Sequence, residues 1–224
     1  MCNGKLESVV FDFDGTLAEL HLDFAEMKRR LGDLAAEYLD GAFESSGQPA
    51  LELLESIGSS IQAKDASMGR QFKERAHSLI MGMELEAAGR GALFPFTRRV
   101  LRILAGKGLK IAIITRNCEQ AVTTVFPDIH LHCSTFLSRE HVKRVKPDPG
   151  HLLLALERLT APAGTALMVG DHPLDIQTGK RAGTLTAGVT SGNSSEADLS
   201  KSGADWTAKN CEELVDLLTR EGKL

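Results

Sequence analysis

Two carboxylates, Asp12 and Asp14, stand one residue apart directly after the short apolar run Val9 to Phe11, and Gly15 and Thr16 follow them. Acids that close repel each other unless a cation or a proton lies between them. Gly15 lets the backbone turn where a side chain would obstruct it. Three further polar clusters fall in comparable places. Thr115 ends the run Ile111 to Ile114, and Arg116 and Asn117 lead into a helical pattern whose N-terminus suits a phosphate. Lys146 precedes Pro147-Asp148-Pro149, a stiff turn able to hold its ammonium in place. Gly170-Asp171 closes the run Ala166 to Val169, and Asp175 follows one helical turn later. Each cluster alone has an ordinary explanation: a polar turn, a helix-start neighbour, a solvated lysine. Together, in this order and beside strand ends, they supply acids, a fixed cation and hydroxyl and amide donors to one phosphoryl-transfer site.

Placing those clusters together requires a particular scaffold. The apolar runs Val9 to Phe11, Ile111 to Ile114, Ala166 to Val169 and Leu185 to Val189 alternate with helical patterns over Phe96 to Ala105, Glu119 to Phe126, Leu152 to Leu159 and Leu174 to Ala182. Continuous apolar strands separated by helices describe an α/β fold, a Rossmann-like doubly wound parallel sheet covered on both faces. A last helix starts at Asn210 with Glu213 as a capping box and buries Leu214, Leu217 and Leu218. The stretch from Ala18 to Leu93 breaks the alternation. It carries helical patterns and no strand: Asp23 with Glu26 caps a helix to about Leu39, and Ala50 to Ile57 and Lys64 to Met81 follow. This predicts a core domain from residues 1–17 and 94–224 and an inserted all-helical cap from residues 18–93, hinged where open α/β sheets bind ligands. Thr190 to Glu196, rich in Ser, Gly and Asn, reads as an exposed loop.

The bulk numbers exclude other classes. At 224 residues, 42% hydrophobic and 25% charged, the chain suffices for one core and a smaller satellite. A net charge of -4 offers no general attraction to nucleic acid or to an anionic membrane. Cys2, Cys118, Cys133 and Cys211 lie far apart with no Cys-x-x-Cys pair, which argues against a zinc framework and for reduced thiols in a cytoplasmic protein. No leader pattern precedes Val9, and no run of 18 apolar residues occurs. Nothing in the sequence specifies an oligomeric state.

On these motifs the chain resembles the haloacid dehalogenase superfamily, in its phosphoglycolate phosphatase-like branch with a helical cap. Val9-Val10-Phe11-Asp12-Phe13-Asp14-Gly15-Thr16-Leu17 is similar to that family's first motif and Ile113-Ile114-Thr115 to its second. Lys146-Pro147-Asp148-Pro149 resembles the third, and Val169-Gly170-Asp171-His172-Pro173-Leu174-Asp175, followed by Ala182-Gly183, the fourth. The resemblance implies that Asp12 attacks phosphorus to form an aspartyl phosphate that water then hydrolyses. It implies that Asp14 protonates the leaving alkoxide and later deprotonates that water. Mg2+ would bind a carboxylate oxygen of Asp12, the backbone carbonyl of Asp14 and the carboxylate of Asp171. Asp175 would hold a metal-bound water or orient Lys146. Lys146 would keep Asp12 ionised, and the Thr115 hydroxyl with neighbouring amides would grip the transferring phosphoryl oxygens.

The implied substrate is a small phosphorylated metabolite, 2-phosphoglycolate or a sugar phosphate. The alternatives are a sugar phosphomutase of the same superfamily and a non-catalytic phospholigand-binding module. Dehalogenase and phosphonatase branches are disfavoured, because the resemblance implies that they lack the second acid, here Asp14. Some positions depart from the pattern. Ala18-Glu19-Leu20 stands where an acid and a serine are frequent. Arg116 occupies a position where Asn is common, and its cation either reaches a second anionic group of the substrate or lies in solvent. His130-Leu131-His132-Cys133 looks like a metal cluster but falls where a strand and its flank are expected, and His172 reads as the residue that starts a helix. Arg70, Lys73 and Arg75, and Arg139, Lys143 and Arg144, read as solvated basic faces.

Overall fold

The computed structural model describes residues 4–39 and 47–224, so Cys2 lies outside the described residues. In chain order the elements are β1 (Ser8–Phe11), β2 (Ala18–Glu19), α1 (Phe24–Ala36), α2 (Ala50–Lys64), α3 (Ala66–Ala88) and β3 (Ala92–Leu93). They continue with α4 (Thr97–Gly106), β4 (Lys110–Ile114), α5 (Glu119–Val125), β5 (Thr135–Leu137), α6 (Pro149–Leu159) and β6 (Ala166–Gly170). The chain closes with α7 (Pro173–Ala182), β7 (Leu185–Val189), α8 (Glu196–Lys201), β8 (Trp206–Ala208) and α9 (Cys211–Arg220). These divide into two compact units, Met1–Leu20 with Ala88–Leu224, and His21–Ala87. Among the described residues no helix is long and apolar enough to cross a membrane.

The first unit is a six-stranded sheet in the order β5-β4-β1-β6-β7-β8. All its neighbours pair in parallel, as continuous apolar strands demand. β1 lies between β4 and β6, with Phe11 in register with Ile113 on one side and Val169 on the other. The chain therefore fills one half of the sheet, then crosses to the other, and the reversal falls beside β1. In doubly wound sheets the crevice at such a reversal is the ligand position. Val10, Ala112, Ile114 and Met168 point to the face covered by α6, packing with Leu152, Ala155, Leu156 and Leu159. α7 joins α6 against β6 and β7, while α4 and α9 pack together and against β4 and β7. The result is the doubly wound α/β architecture expected from the sequence.

Local chemistry sets the helix starts. α6 and α7 each open with proline, whose fixed φ and missing N–H suit a first helical turn. Asn210 caps α9 by accepting from the amides of Glu212 and Glu213 at 3.0 Å each. The expected reciprocal half of that capping box is absent, because the Glu213 carboxylate accepts from the Lys209 amide at 3.4 Å. Leu217 is only half-buried, and Val215 takes its place beside Leu214 and Leu218 on the buried face.

The second unit is helical. Asp23 caps α1 by accepting from the Glu26 amide at 2.8 Å. Leu31, Leu34, Leu53, Leu54, Ile57, Ile61, Phe72, Ala76 and Ile80 recur at helical spacing and form the unit's own buried core. α2 and α3 run on to Lys64 and Ala88, beyond the helical patterns read from the sequence, because their apolar rows extend past the turn-forming residues.

Three features differ from expectation. Residues 18–93 are not strand-free, since β2 pairs antiparallel with β3 through Ala18 with Leu93 and Glu19 with Ala92. The expected strand at His130 is instead a 3-10 turn over Ile129–Leu131, and the strand follows at β5. β8 adds a parallel edge strand of three residues that no apolar run announced.

Candidate active site

Parallel strands end abruptly where their apolar runs meet polar residues, and the three central ones end together. Asp12 follows β1 and stays in the sheet through its amide, which donates to the Val169 carbonyl at 2.8 Å. Asp171 follows β6, and Thr115 follows β4 with its amide donating to the Leu137 carbonyl at 3.0 Å. This register brings three of the sequence-derived acids into one cluster: Asp12, Asp171 and Asp175 each offer a carboxylate oxygen within 4.8 Å of the others.

Lys146 is the cation of that cluster. Its ammonium lies 2.6 Å from Asp12 Oδ1 and donates to Asp175 Oδ1 at 2.7 Å, and its side chain is 1% exposed. Burial opposes its charge, yet Asp12 and Asp175 outweigh burial and raise its pKa. The amide of Phe13 also donates to Asp12 Oδ1, at 2.7 Å, so the carboxylate's rotation is fixed from two directions. Asp175 is held in turn by the His172 amide, which donates to its Oδ2 at 3.1 Å. Asp175 thus engages Lys146 through one oxygen and the start of α7 through the other, while remaining within the three-acid cluster.

The remaining acids are costly to ionise here. Burial pushes Asp171 well above the usual carboxylate range, and the charges of Asp12 and Asp175 push it further. Burial likewise raises Asp12, against the pull of Lys146. Three carboxylates around one ammonium leave an excess of two negative charges when all are ionised. All-oxygen donors with that excess are the donor set of a hard divalent cation, which would satisfy the repulsion that otherwise holds protons on the acids.

Asp14 stands apart from this cluster. Its Oδ1 accepts from the Leu20 amide at 3.0 Å, just beyond β2, and Asp14 itself forms a bridge to Ala18. The ribbon that the sequence concealed therefore aims the second acid. Burial pushes its pKa up to about 7, the range in which a carboxyl group can both give and take a proton near neutrality.

Thr115 is buried at the end of β4, and its hydroxyl accepts from the Asn117 amide at 3.1 Å. Arg116 does not project freely. Its guanidinium donates to the carbonyl of Lys146, while Arg181 donates to the carbonyl of Pro147 at 3.0 Å. Arg139 donates to the carbonyl of Arg116 at 3.3 Å. Two arginines thus brace the backbone on which Lys146 is mounted and the third holds the backbone of Arg116, contacts that sequence alone did not assign to any of them. His172 starts α7, its Nδ1 accepting from the Leu174 amide at 3.1 Å.

The distracting clusters have local partners. His132 meets Asp128 at 3.2 Å, and the Cys133 thiol donates to the Ile129 carbonyl at 3.4 Å. In the helical unit Lys73 pairs with Glu55 at 2.7 Å and Arg75 with Glu37 at 2.6 Å.

Acids, one buried lysine and a strand-end threonine thus meet where the doubly wound sheet reverses. The chain belongs to the haloacid dehalogenase-like hydrolase family, whose pattern matches residues 9–189. Among curated relatives it is 29% identical over 198 residues to the pyrophosphatase PpaX of Bacillus velezensis, covering 84% of this chain and 85% of that one. It is also 29% identical over 185 residues to the phosphoglycolate phosphatase of Aquifex aeolicus, covering 80% of this chain and 82% of the relative. A solved hydrolase structure from Pseudomonas syringae superposes with a TM-score of 0.69 at 22% identity, covering 96% and 98% of the two chains, a likeness of fold.

Proposed function

We propose that this protein is a magnesium-dependent phosphatase that hydrolyses a small phosphomonoester through a phosphorylated Asp12. One observation carries the reading: a fully buried ammonium, Lys146, sits on Asp12 in the middle of an acidic cluster. Hydrophobic packing would stabilise the fold at less cost than a buried ion cluster. A cluster of this kind at a ligand crevice serves chemistry that needs an ionised carboxylate beside other anions.

In this reading Lys146 and the Phe13 amide hold Asp12 ionised and correctly turned, and Asp12 attacks the phosphorus of the ester. Asp14 gives its proton to the departing alkoxide, then removes one from the water that hydrolyses the aspartyl phosphate. Thr115 and the amides that follow it bind the non-bridging oxygens, where charge accumulates in the transition state. Asp12 and Asp171 with the Asp14 carbonyl are the groups that would hold the magnesium ion. That ion would neutralise phosphate charge and act as a Lewis acid when bound. The helical unit is assigned the part of a cap that selects the leaving group. Cys118, Cys133 and Cys211 are free thiols, in keeping with a cytoplasmic site of action.

Relatives named for pyrophosphate and for phosphoglycolate bracket the substrate class as small and anionic. The test is phosphate release from 2-phosphoglycolate, several sugar phosphates and pyrophosphate, with magnesium and with chelator. Magnesium-dependent release from at least one ester is expected. Transfer of the phosphoryl group between positions of a sugar, with no free phosphate, would replace the hydrolase by a mutase. Neither release nor transfer, from folded protein with metal bound, would leave the phospholigand-binding module.

A further inference from the structure

The loop after β7 reads in the sequence as ordinary exposed chain, yet it closes on the acid that ends β6. Ser191 donates its hydroxyl to the carbonyl of Gly15 at 2.7 Å, and the Asn193 amide donates to Asp171 Oδ2 at 3.3 Å. Between them, Gly192 lies so close to Asp171 that any Cβ placed there would overlap the carboxylate itself. Its φ is outside the left-handed region, so the requirement for glycine is one of space and not of conformation. Gly15 also lies against that carboxylate, and there its φ of +78° and the contact both exclude a side chain. The Asp171 carboxylate thus abuts two glycine backbones that Ser191 ties to each other, with the Thr16 hydroxyl 3.5 Å from its Oδ1.

Such a clamp has a physical purpose. Asp171 is repelled by Asp12 and Asp175 and loses hydration by burial, so a free side chain would turn away from them. Backbone packed this closely against the carboxylate restricts that escape, and the Asn193 amide adds a donor to it. We propose that Ser191-Gly192-Asn193 is part of the metal site, with Gly192 the positioning residue that keeps Asp171 turned toward Asp12. The inference rests on reading the acidic cluster as a divalent-cation site. It assigns a task to a segment that contributes no carboxylate of its own.

Outer partners of a metal ligand typically affect affinity by about 10- to 100-fold, and this is the rise in magnesium Kd expected for Gly192→Ala. Ser191→Ala, which releases the tether without adding bulk, should give a smaller rise. Gly164→Ala, where a new Cβ meets nothing within 4 Å, should give none. The measurement is calorimetric titration of the intact chain with magnesium alone, beside the metal-free unfolding midpoint, which Gly192→Ala should leave near that of Gly164→Ala. Native-like magnesium affinity in Gly192→Ala overturns the inference while leaving the proposed function standing. Should Gly192→Ala fail to fold, Ser191→Ala decides, and unchanged affinity there overturns the inference equally. No magnesium uptake by the native chain would sink the metal reading itself, and this inference with it.

Discussion

In the helical unit charges meet in water. Arg29 bridges Glu26 and Asp33 along α1, Lys73 reaches Glu55, and Arg75 engages Glu37 and the Tyr38 hydroxyl. These partners are all at least partly solvated, and charge is balanced locally once Arg30, which also meets Glu26, is counted. In the α/β unit the opposite holds at the strand ends, where Asp12, Asp171 and Asp175 cluster and a single buried lysine pairs with two of them, leaving charge over. Exposed pairs contribute little to stability and are screened by salt. The buried cluster is expensive to form, and its repulsion is relieved by a cation or by protons on the acids. The position of charge thus separates a unit with a buried acidic cluster from one whose charges pair on a helical surface.

Breaking the cluster at its centre should have the largest effect. Lys146→Ala leaves Asp12 and Asp175 facing each other without their shared cation, and turnover with magnesium should fall by about 100- to 1,000-fold or more. Retained turnover would mean that Lys146 is structural only. Next come the braces behind it. Arg116→Ala and Arg181→Ala release the carbonyls of Lys146 and Pro147, so each should lower kcat by roughly 10- to 100-fold while KM changes little. A rise in KM confined to Arg116→Ala would instead return that residue to the substrate-binding part first expected of it.

A subtler effect concerns His151, buried in α6 with Nε2 at 3.2 Å from the Leu137 carbonyl and Nδ1 without a partner. Burial pushes its pKa down to about 3. In the unfolded chain a histidine titrates near 6.5, so below that pH the unfolded state takes the proton and the folded state does not. Stability from this group is therefore complete above about pH 6.5 and is lost as pH falls. Unfolding free energies at pH 7 and pH 5 should differ by about 2 kcal/mol more in the native chain than in His151→Gln. An equal difference in both would show that His151 is protonated in the fold. The smallest change is expected in the helical unit: Arg75→Ala should leave both turnover and thermal midpoint where they were, and a clear loss would show that its surface pairs are not spectators.

Much of this site is visible in the sequence because its side chains sit where apolar runs stop. Asp12, Thr115 and Asp171 each end a strand of branched or apolar residues, and strand ends in a parallel sheet converge. Lys146 is legible from the proline-marked turn that follows it, and Asp175 from its place one helical turn beyond Asp171. What stays hidden acts through backbone or through very short elements. β2 and β3 have two residues apiece, too few for any period, yet the Leu20 amide just beyond β2 aims Asp14. β5 and β8, three residues each, depend on a neighbouring strand more than on their own pattern. The braces Arg116, Arg139 and Arg181 look like solvated arginines until the carbonyls they cover are known. Gly192 matters for the side chain it lacks, and its sequence context, Ser-Gly-Asn-Ser, is that of any surface turn.

The central claim is that Asp12 is the nucleophile, and Asp12→Asn tests it most directly because the amide keeps the shape of the carboxylate and removes its charge. Phosphate release in the presence of magnesium should fall to the chelator background, with the unfolding midpoint preserved. A folded Asp12→Asn protein that goes on releasing phosphate at a rate comparable with the native chain would contradict the account.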